Sequence, residues 1–174
     1  MKKITLLLCT LYIAGIMTAQ ETPLNNDPIP EAEVPQVVLA SQKVNFPDGY
    51  VNEWFIDRGL TAGDDAPVRY ISQFGDSFST NTHFATYLPN GMLFYDAKFL
   101  ETAIIPSDIM IQVRKAFDDY EVENARLFTL YEPKRQIYQV KLRNQAYIQM
   151  AYYSIDGRPI PKKELPEALL VFKY

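Results

Sequence analysis

Ile105-Pro106-Ser107-Asp108-Ile109-Met110-Ile111-Gln112-Val113-Arg114-Lys115-Ala116-Phe117-Asp118-Asp119-Tyr120 is the stretch from which the rest of the chain can be read. Proline suits the first turn of a helix, where its missing N–H would have no partner. Ile109, Val113, Ala116, Phe117 and Tyr120 then form one apolar stripe at helical spacing. The same pattern stands earlier in the chain. Val34-Pro35 opens a stretch with Val37, Ser41 and Val44, which closes at Phe46 and the turn signal Pro47-Asp48-Gly49. Pro35 to Phe46 and Pro106 to Phe117 are the same interval, 11 residues. The chain therefore reads as one helix-opening pattern written twice.

Each helix is followed by segments of period two, rich in Tyr, Phe, Val, Ile and Thr as strands are. In the first half these run over residues 51–57, 68–74, 80–88 and 92–99, and in the second over 123–131, 136–142 and 146–153. Turn signals fall between them at Ala62-Gly63-Asp64-Asp65, Gly75-Asp76, Pro89-Asn90-Gly91, Glu132-Pro133 and Asp156-Gly157, with Asn144 as a weaker break. Asn90-Gly91 reads as a tight hairpin turn, because both residues tolerate positive φ. Short gaps imply antiparallel pairing, so the expected fold is a single compact α+β domain of two tandem helix-plus-meander repeats, over 34–101 and 102–174. The periodicity leaves open whether the two sheets join.

Composition bounds the function. The chain has 174 residues, 48% hydrophobic and 22% charged, with 12 Tyr and 10 Phe but one His and one Cys. Lys2-Lys3, the uncharged apolar run 4–17 and the small residues before Gln20 make a signal peptide over 1–19, cleaved after Ala19. Cys9 has bulky Leu6-Leu7-Leu8 before it and most of the apolar run behind it, which is not the layout of a lipidation site. Cleavage discards Cys9, so the secreted chain has no disulfide and folds on its core alone. About 155 residues can do that, since domains of this size bury roughly 68–70% of their unfolded surface. Loss of Lys2 and Lys3 leaves 15 basic against 21 acidic residues, a formal charge of −6 in place of −4. Nucleic acid and anionic lipid are poor partners for such a surface. Lys134-Arg135, Lys141 and Arg143 read as solvated strand residues, and no membrane span is expected after cleavage. Residues 20–33, with Pro23, Pro28 and Pro30, read as a flexible leader.

The order Val34-Pro35, Phe46-Pro47, Trp54, Tyr70, Leu88-Pro89-Asn90-Gly91, Ile105-Pro106, Phe117, Tyr120, Tyr138-Gln139-Val140 and Ile155-Asp156-Gly157 resembles the PepSY-like, beta-lactamase-inhibitor-like small secreted proteins of Bacteroidetes. In that family a helix opening with Val-Pro or Leu-Pro precedes a Tyr-x-Val strand and a strand ending in Asp-Gly, and the unit occurs twice. The match covers about residues 34–160. Asn90 stands where the family usually has Asp, the first half has a longer connection at 60–67, and a tail follows Asp156-Gly157. That tail is expected to add an edge strand at 169–172. The resemblance implies a non-enzymatic binding or inhibitory fold whose open sheet face meets a protein partner; it does not imply a beta-lactamase as target.

Chemistry is scarce. His83 has neither a Cys nor a second His with which to build a triad or a zinc site. Asp64-Asp65 and Asp118-Asp119 sit at turns, where adjacent acids do not span the ~5–9.5 Å a glycosidase pair needs. No calcium or phosphate loop occurs. No cofactor, metal or catalytic constellation is therefore expected. Aromatics are the abundant resource, and Trp54 is assigned to the core. Turning Ile148, Met150 and Tyr152 toward the helix leaves Tyr147, Gln149, Ala151 and Tyr153 outward. Tyr138, Val140 and Leu142 inward leave Ile137, Gln139 and Lys141 outward; Phe84, Thr86 and Leu88 inward leave Asn81, His83, Ala85 and Tyr87 outward, beside Arg69, Ile71 and Gln73. The expected partner-binding residues are Arg69, Gln73, His83, Tyr87, Gln139, Tyr147, Gln149 and Tyr153, a mixture suited to a protein or peptide. A one-residue slip would exchange the two faces. A small-ligand carrier with aromatics lining a cavity, or a hydrolase with paired carboxylates, are the competing readings.

Overall fold

Period-two segments separated by short turns pair with their sequence neighbours. The computed structural model, which describes residues 26–58, 68–76, 79–166 and 169, joins all of them into one sheet. Eight antiparallel strands follow one another in chain order: β1 (Asn26–Ile29), β2 (Gly49–Asp57), β3 (Arg69–Asp76), β4 (Ser79–Tyr87), β5 (Leu93–Glu101), β6 (Glu121–Tyr131), β7 (Lys134–Asn144) and β8 (Tyr147–Ser154). The two halves meet where β5 pairs with β6, from Tyr95 opposite Leu130 to Glu101 opposite Asn124. The leader is not wholly flexible: Asn26–Ile29 adds to the β2 edge, where Pro28 is tolerated because an edge strand can spare one N–H. Residues 1–25 and 59–67, where the sequence leads one to expect a signal peptide, its cleavage point and the turn acids Asp64-Asp65, lie outside the described part.

Two ten-residue helices, α1 (Gln36–Asn45) and α2 (Ser107–Ala116), start and stop alike. Pro35 has φ −56° and ψ 138°, Pro106 φ −55° and ψ 139°; Phe46 and Phe117 close the helices with φ −133° and −143°. Each helix is preceded by a 3-10 turn, at Glu31–Glu33 and Thr102–Ile104. Their buried stripes are also equivalent. Val34 and Val38 pack with Trp54, Phe74, Ala85 and Tyr87, and Ile105, Ile109 and Val113 with Leu100, Ala125, Tyr138, Val140, Leu142, Ala151 and Tyr153. Full burial of each such aliphatic side chain contributes about 1.5–3 kcal/mol. Trp54 is in the core as expected, 3% exposed.

The turns that close β4 and β8 share one hydrogen-bond pattern. Gly91 N–H donates to Leu88 O and Gly157 N–H to Ser154 O, both at 2.9 Å; Leu88 N–H donates to Met92 O and Ser154 N–H to Arg158 O, again at 2.9 Å. Of the Asn90-Gly91 pair only Gly91 takes positive φ, at 83°. Asn90 keeps negative φ because Pro89 starts a turn that only its last residue leaves in the left-handed region, and Asn90 Oδ1 instead accepts from Met92 N–H at 3.0 Å.

The opposite face of the sheet is covered as well. Tyr95, Ala97, Phe128, Leu130, Ile137 and Tyr152 pack with Leu165 and Leu169 from the C-terminal segment. That segment repeats the helix-opening spacing: Leu165-Pro166 and Leu169 stand as Ile105-Pro106 and Ile109 do, after a 3-10 turn at Lys162–Glu164. Leu169 N–H bonds Pro166 O in a turn, so Leu169 is not part of an edge strand; residues 170–172 lie outside the described part.

Candidate functional site

Strands β3 to β7 decide which side chains reach solvent between the helices. One row of Cα partners runs Phe74, His83, Lys98, Leu127, Tyr138, Tyr153, and the next runs Ser72, Ala85, Asp96, Thr129, Gln136. The ends of the first row lie under the helices, Phe74 in the α1 core and Tyr138 and Tyr153 in the α2 core. Between them is a half-buried polar strip. Tyr131 Oη donates to Asp96 Oδ1 at 2.7 Å. Gln136 Nε2 donates to Thr129 Oγ1 at 3.4 Å. His83 Nε2 stands 3.3 Å from Asp76 Oδ2, and its ring stacks on Phe74 with centroids 5.2 Å apart.

Burial shapes the protonation of the strip. Desolvation raises the Asp96 carboxyl above the usual carboxylate range, against the hydrogen bonds of Tyr131 and Thr129. Burial raises the Tyr131 phenol, and its bond to Asp96 adds to that. Burial lowers His83 from 6.5, and Lys98 lowers it further, while Asp76 and Asp96 oppose both. Neutral imidazole is thus the form the fold prefers. Its contribution to stability is complete above pH about 6.5 and is lost as pH falls through the lowered folded value. His83 is the chain's single histidine, so one imidazole resonance reports it. Its NMR titration midpoint is expected below 6.5, and unfolding midpoints should fall more between pH 7 and 5 than in His83→Gln; equal slopes in the two proteins would refute this.

The eight residues named from sequence do not share one surface. Arg69 and Gln73 lie on the face away from the helices, as expected, with Arg69 over the Phe94 ring at 5.1 Å. Gln139 shares that face but is 3% exposed, its Nε2 donating to Tyr152 Oη at 3.0 Å. The facing expected for β4 and β8 is reversed. Ala85 and Tyr87 turn toward α1, and Gln149, Ala151 and Tyr153 share the helix-bearing face, while Phe84, Met150 and Tyr152 pack on the other side. Tyr87 is 0% and Tyr153 2% exposed, so neither offers an outward ring. Both strands carry aromatics at odd and even positions alike, which leaves a period-two pattern without polarity. His83, also expected on the face away from the helices, lies instead on the helix-bearing face, in the strip between the helices, and Tyr147 and Gln149 are exposed at the free end of β8. Asn81 side-chain placement lies outside the description. Asp76, Asp96, Lys98, Thr129 and Tyr131 were not selected from sequence. Their only signal is a charged or hydroxyl residue at alternate positions of strands that end up central.

No family profile and no curated protein matches the chain. Solved structures do. It superposes on a Bacteroides eggerthii protein described as a periplasmic candidate with TM-score 0.59 and 13% identity, over 74% of this chain and 86% of that one. A DUF2874 family protein of Bacteroides ovatus gives 0.58 and 14%, over 73% and 84%. A BLIP-like protein of Bacteroides fragilis gives 0.56 and 14%, over 73% and 84%. The chain has a BLIP-like fold. These neighbours support the beta-lactamase-inhibitor-like half of the resemblance and not the PepSY-like half, and none carries an enzyme name. No helix among the described residues is long and apolar enough to cross a membrane, and among them no group of three or more His, Cys, Asp or Glu could hold a metal.

Proposed function

We propose that this is a periplasmic, non-enzymatic binding protein that recognises a protein or peptide partner through the polar strip between its helices, and that its two halves descend from one duplicated helix-plus-meander unit. The observation that carries the reading is the Asp96–Tyr131 bond at 2.7 Å beside His83, Asp76 and Lys98. Charged and hydroxyl groups held in place by one another on a rigid sheet can meet a partner without first being ordered, which lowers the cost of binding. A signal peptide cleaved after Ala19 would deliver the chain to that compartment. The tyrosines a ligand carrier would use, Tyr87, Tyr95, Tyr152 and Tyr153, are instead packed into the core clusters.

Affinity capture from the envelope of the source cell tests this, using mature chain whose amino terminus at Gln20 also reports the cleavage point. Lys98→Ala and Tyr131→Phe should each weaken the captured complex about tenfold or more, as hot-spot residues do, with circular dichroism unchanged. A complex indifferent to both variants would remove the strip from the interface.

A further inference from the structure

The two matching turns are followed by different lengths of strand. After Gly91 the chain pairs at once with β4, Tyr87 opposite Leu93, and continues as β5 for nine residues. After Gly157 the equivalent pairing begins, Tyr153 opposite Pro159, and Ile160 N–H donates to Tyr152 O at 2.8 Å. There it ends, because the chain turns away from β8 into the 3-10 turn at Lys162–Glu164. The β8 edge from Tyr147 to Met150 therefore carries no ninth strand among the described residues. Tyr152 O and Ser154 N–H point outward, and both polar groups of a residue in an antiparallel strand point to the same side, alternating along the chain. Ile148 and Met150 thus also direct N–H and C=O away from β7. Edges of this kind are commonly blunted by proline or charge. The opposite edge has Pro28 and Asp27, whereas Tyr147-Ile148-Gln149-Met150 has neither.

We propose that the strand position left open among the described residues is filled by β8 of a second copy of this chain, antiparallel about a two-fold axis through Gln149. That register sets Ile148 opposite Met150 of the second copy, and Met150 opposite its Ile148, giving four backbone hydrogen bonds from the two residues whose groups point outward. Ile148, 47% exposed, meets the second Met150 on one face. On the other face Tyr147, 73% exposed, falls opposite Ala151, the smallest side chain of β8. The contact brings no like charges together: Lys141 and Arg143 beside it on β7 are both paired with Glu123. Tyr147 and Gln149, named from sequence as partner-binding residues, are then contacts to an identical chain, independent of the polar strip.

Gln149 would form the central pair without hydrogen bonds, where Cα atoms are ~4.5 Å apart, inside the range a disulfide spans. In a Cys9→Ser chain, Gln149→Cys should form a disulfide-linked dimer under mild oxidation at least tenfold faster than Ile155→Cys, which is exposed but off the edge. Ile148→Lys should raise the dimer dissociation constant tenfold or more in sedimentation equilibrium while circular dichroism is unchanged. Met150→Pro, which deletes one outward N–H, should do the same. Equal crosslinking at 149 and 155, or a chain that stays monomeric at millimolar concentration, overturns the proposal; so does a β8 edge that binds a foreign peptide with no self-association.

Discussion

Gly91→Ala is expected to cost about 3–4 kcal/mol, and Gly157→Ala about 1–2 kcal/mol, although the two glycines have almost the same backbone. Their φ values are 83° and 80°, a region that costs an L-residue roughly 1–2 kcal/mol. That shared penalty is the whole effect at Gly157, where an added Cβ would meet nothing nearer than Asp108 at 3.7 Å. At Gly91 the added Cβ would stand 2.8 Å from Val37 Cγ2 and 2.9 Å from the Val37 carbonyl oxygen. The methyl could rotate aside, but the carbonyl belongs to the first turn of α1 and can move only with the helix. Urea unfolding separates the two cases. With a slope near 2 kcal/mol per molar, typical of small domains, the Gly91 variant should lose about 1.5–2 M in midpoint and the Gly157 variant about 0.5–1 M. Equal losses would mean that the turn is not seated against α1.

Gln42→Leu is expected to destabilise the chain by about 2–5 kcal/mol. Gln42 is 3% exposed, and its Oε1 accepts from Ser72 Oγ at 2.8 Å and from Tyr87 Oη at 2.7 Å. A leucine of similar volume removes the acceptor and leaves two buried hydroxyls without it, at about 1–3 kcal/mol each. Differential scanning calorimetry should show a melting temperature lower by roughly 10 °C, at 2–4 °C per kcal/mol for a domain of this size. Adding Ser72→Ala and Tyr87→Phe to Gln42→Leu should recover most of the loss, because an apolar replacement of both partners is close to neutral. If the triple variant is no better than the single one, packing and not hydrogen bonding sets the value of this site.

Much of the architecture was legible because local signals and global fold agree. Val34-Pro35 and Ile105-Pro106 open helices where expected, and the seven strands read from alternation are β2 to β8. β1 was hidden because Pro28 and the acids around it argue against a strand, and only its position at an edge makes them tolerable. The candidate site was legible only in part. On β3 and β7 a clean division between apolar and polar positions put Arg69, Gln73 and Tyr138 on the correct faces. On β4 and β8 the aromatics occupy both parities, so Tyr87 and Tyr153 were placed outward although they are core. Asp96 and Lys98 acquire their setting from β4 and β6, which the sequence of β5 does not record. Leu165 and Leu169 pack on the face that was expected to be bare, and only the Leu165-Pro166 spacing hints at it.

The buried trio of Gln42, Ser72 and Tyr87 has a counterpart that is apolar. Gln42 and Val113 both lie seven residues after their prolines, and Val113 packs with Val140 and Tyr153. Two helices of equal length with identical ends could each collapse onto the other's patch of sheet while the chain is still searching. Val113 over Ser72 and Tyr87 would strand two hydroxyls, and Gln42 over Val140 would bury an amide against a methyl surface. The trio is therefore expected to act as an address, telling the first helix from the second before the sheet has closed. A chain made apolar at all three positions should keep nearly all its equilibrium stability yet refold with an added slow phase, as helices docked on the wrong half detach and try again.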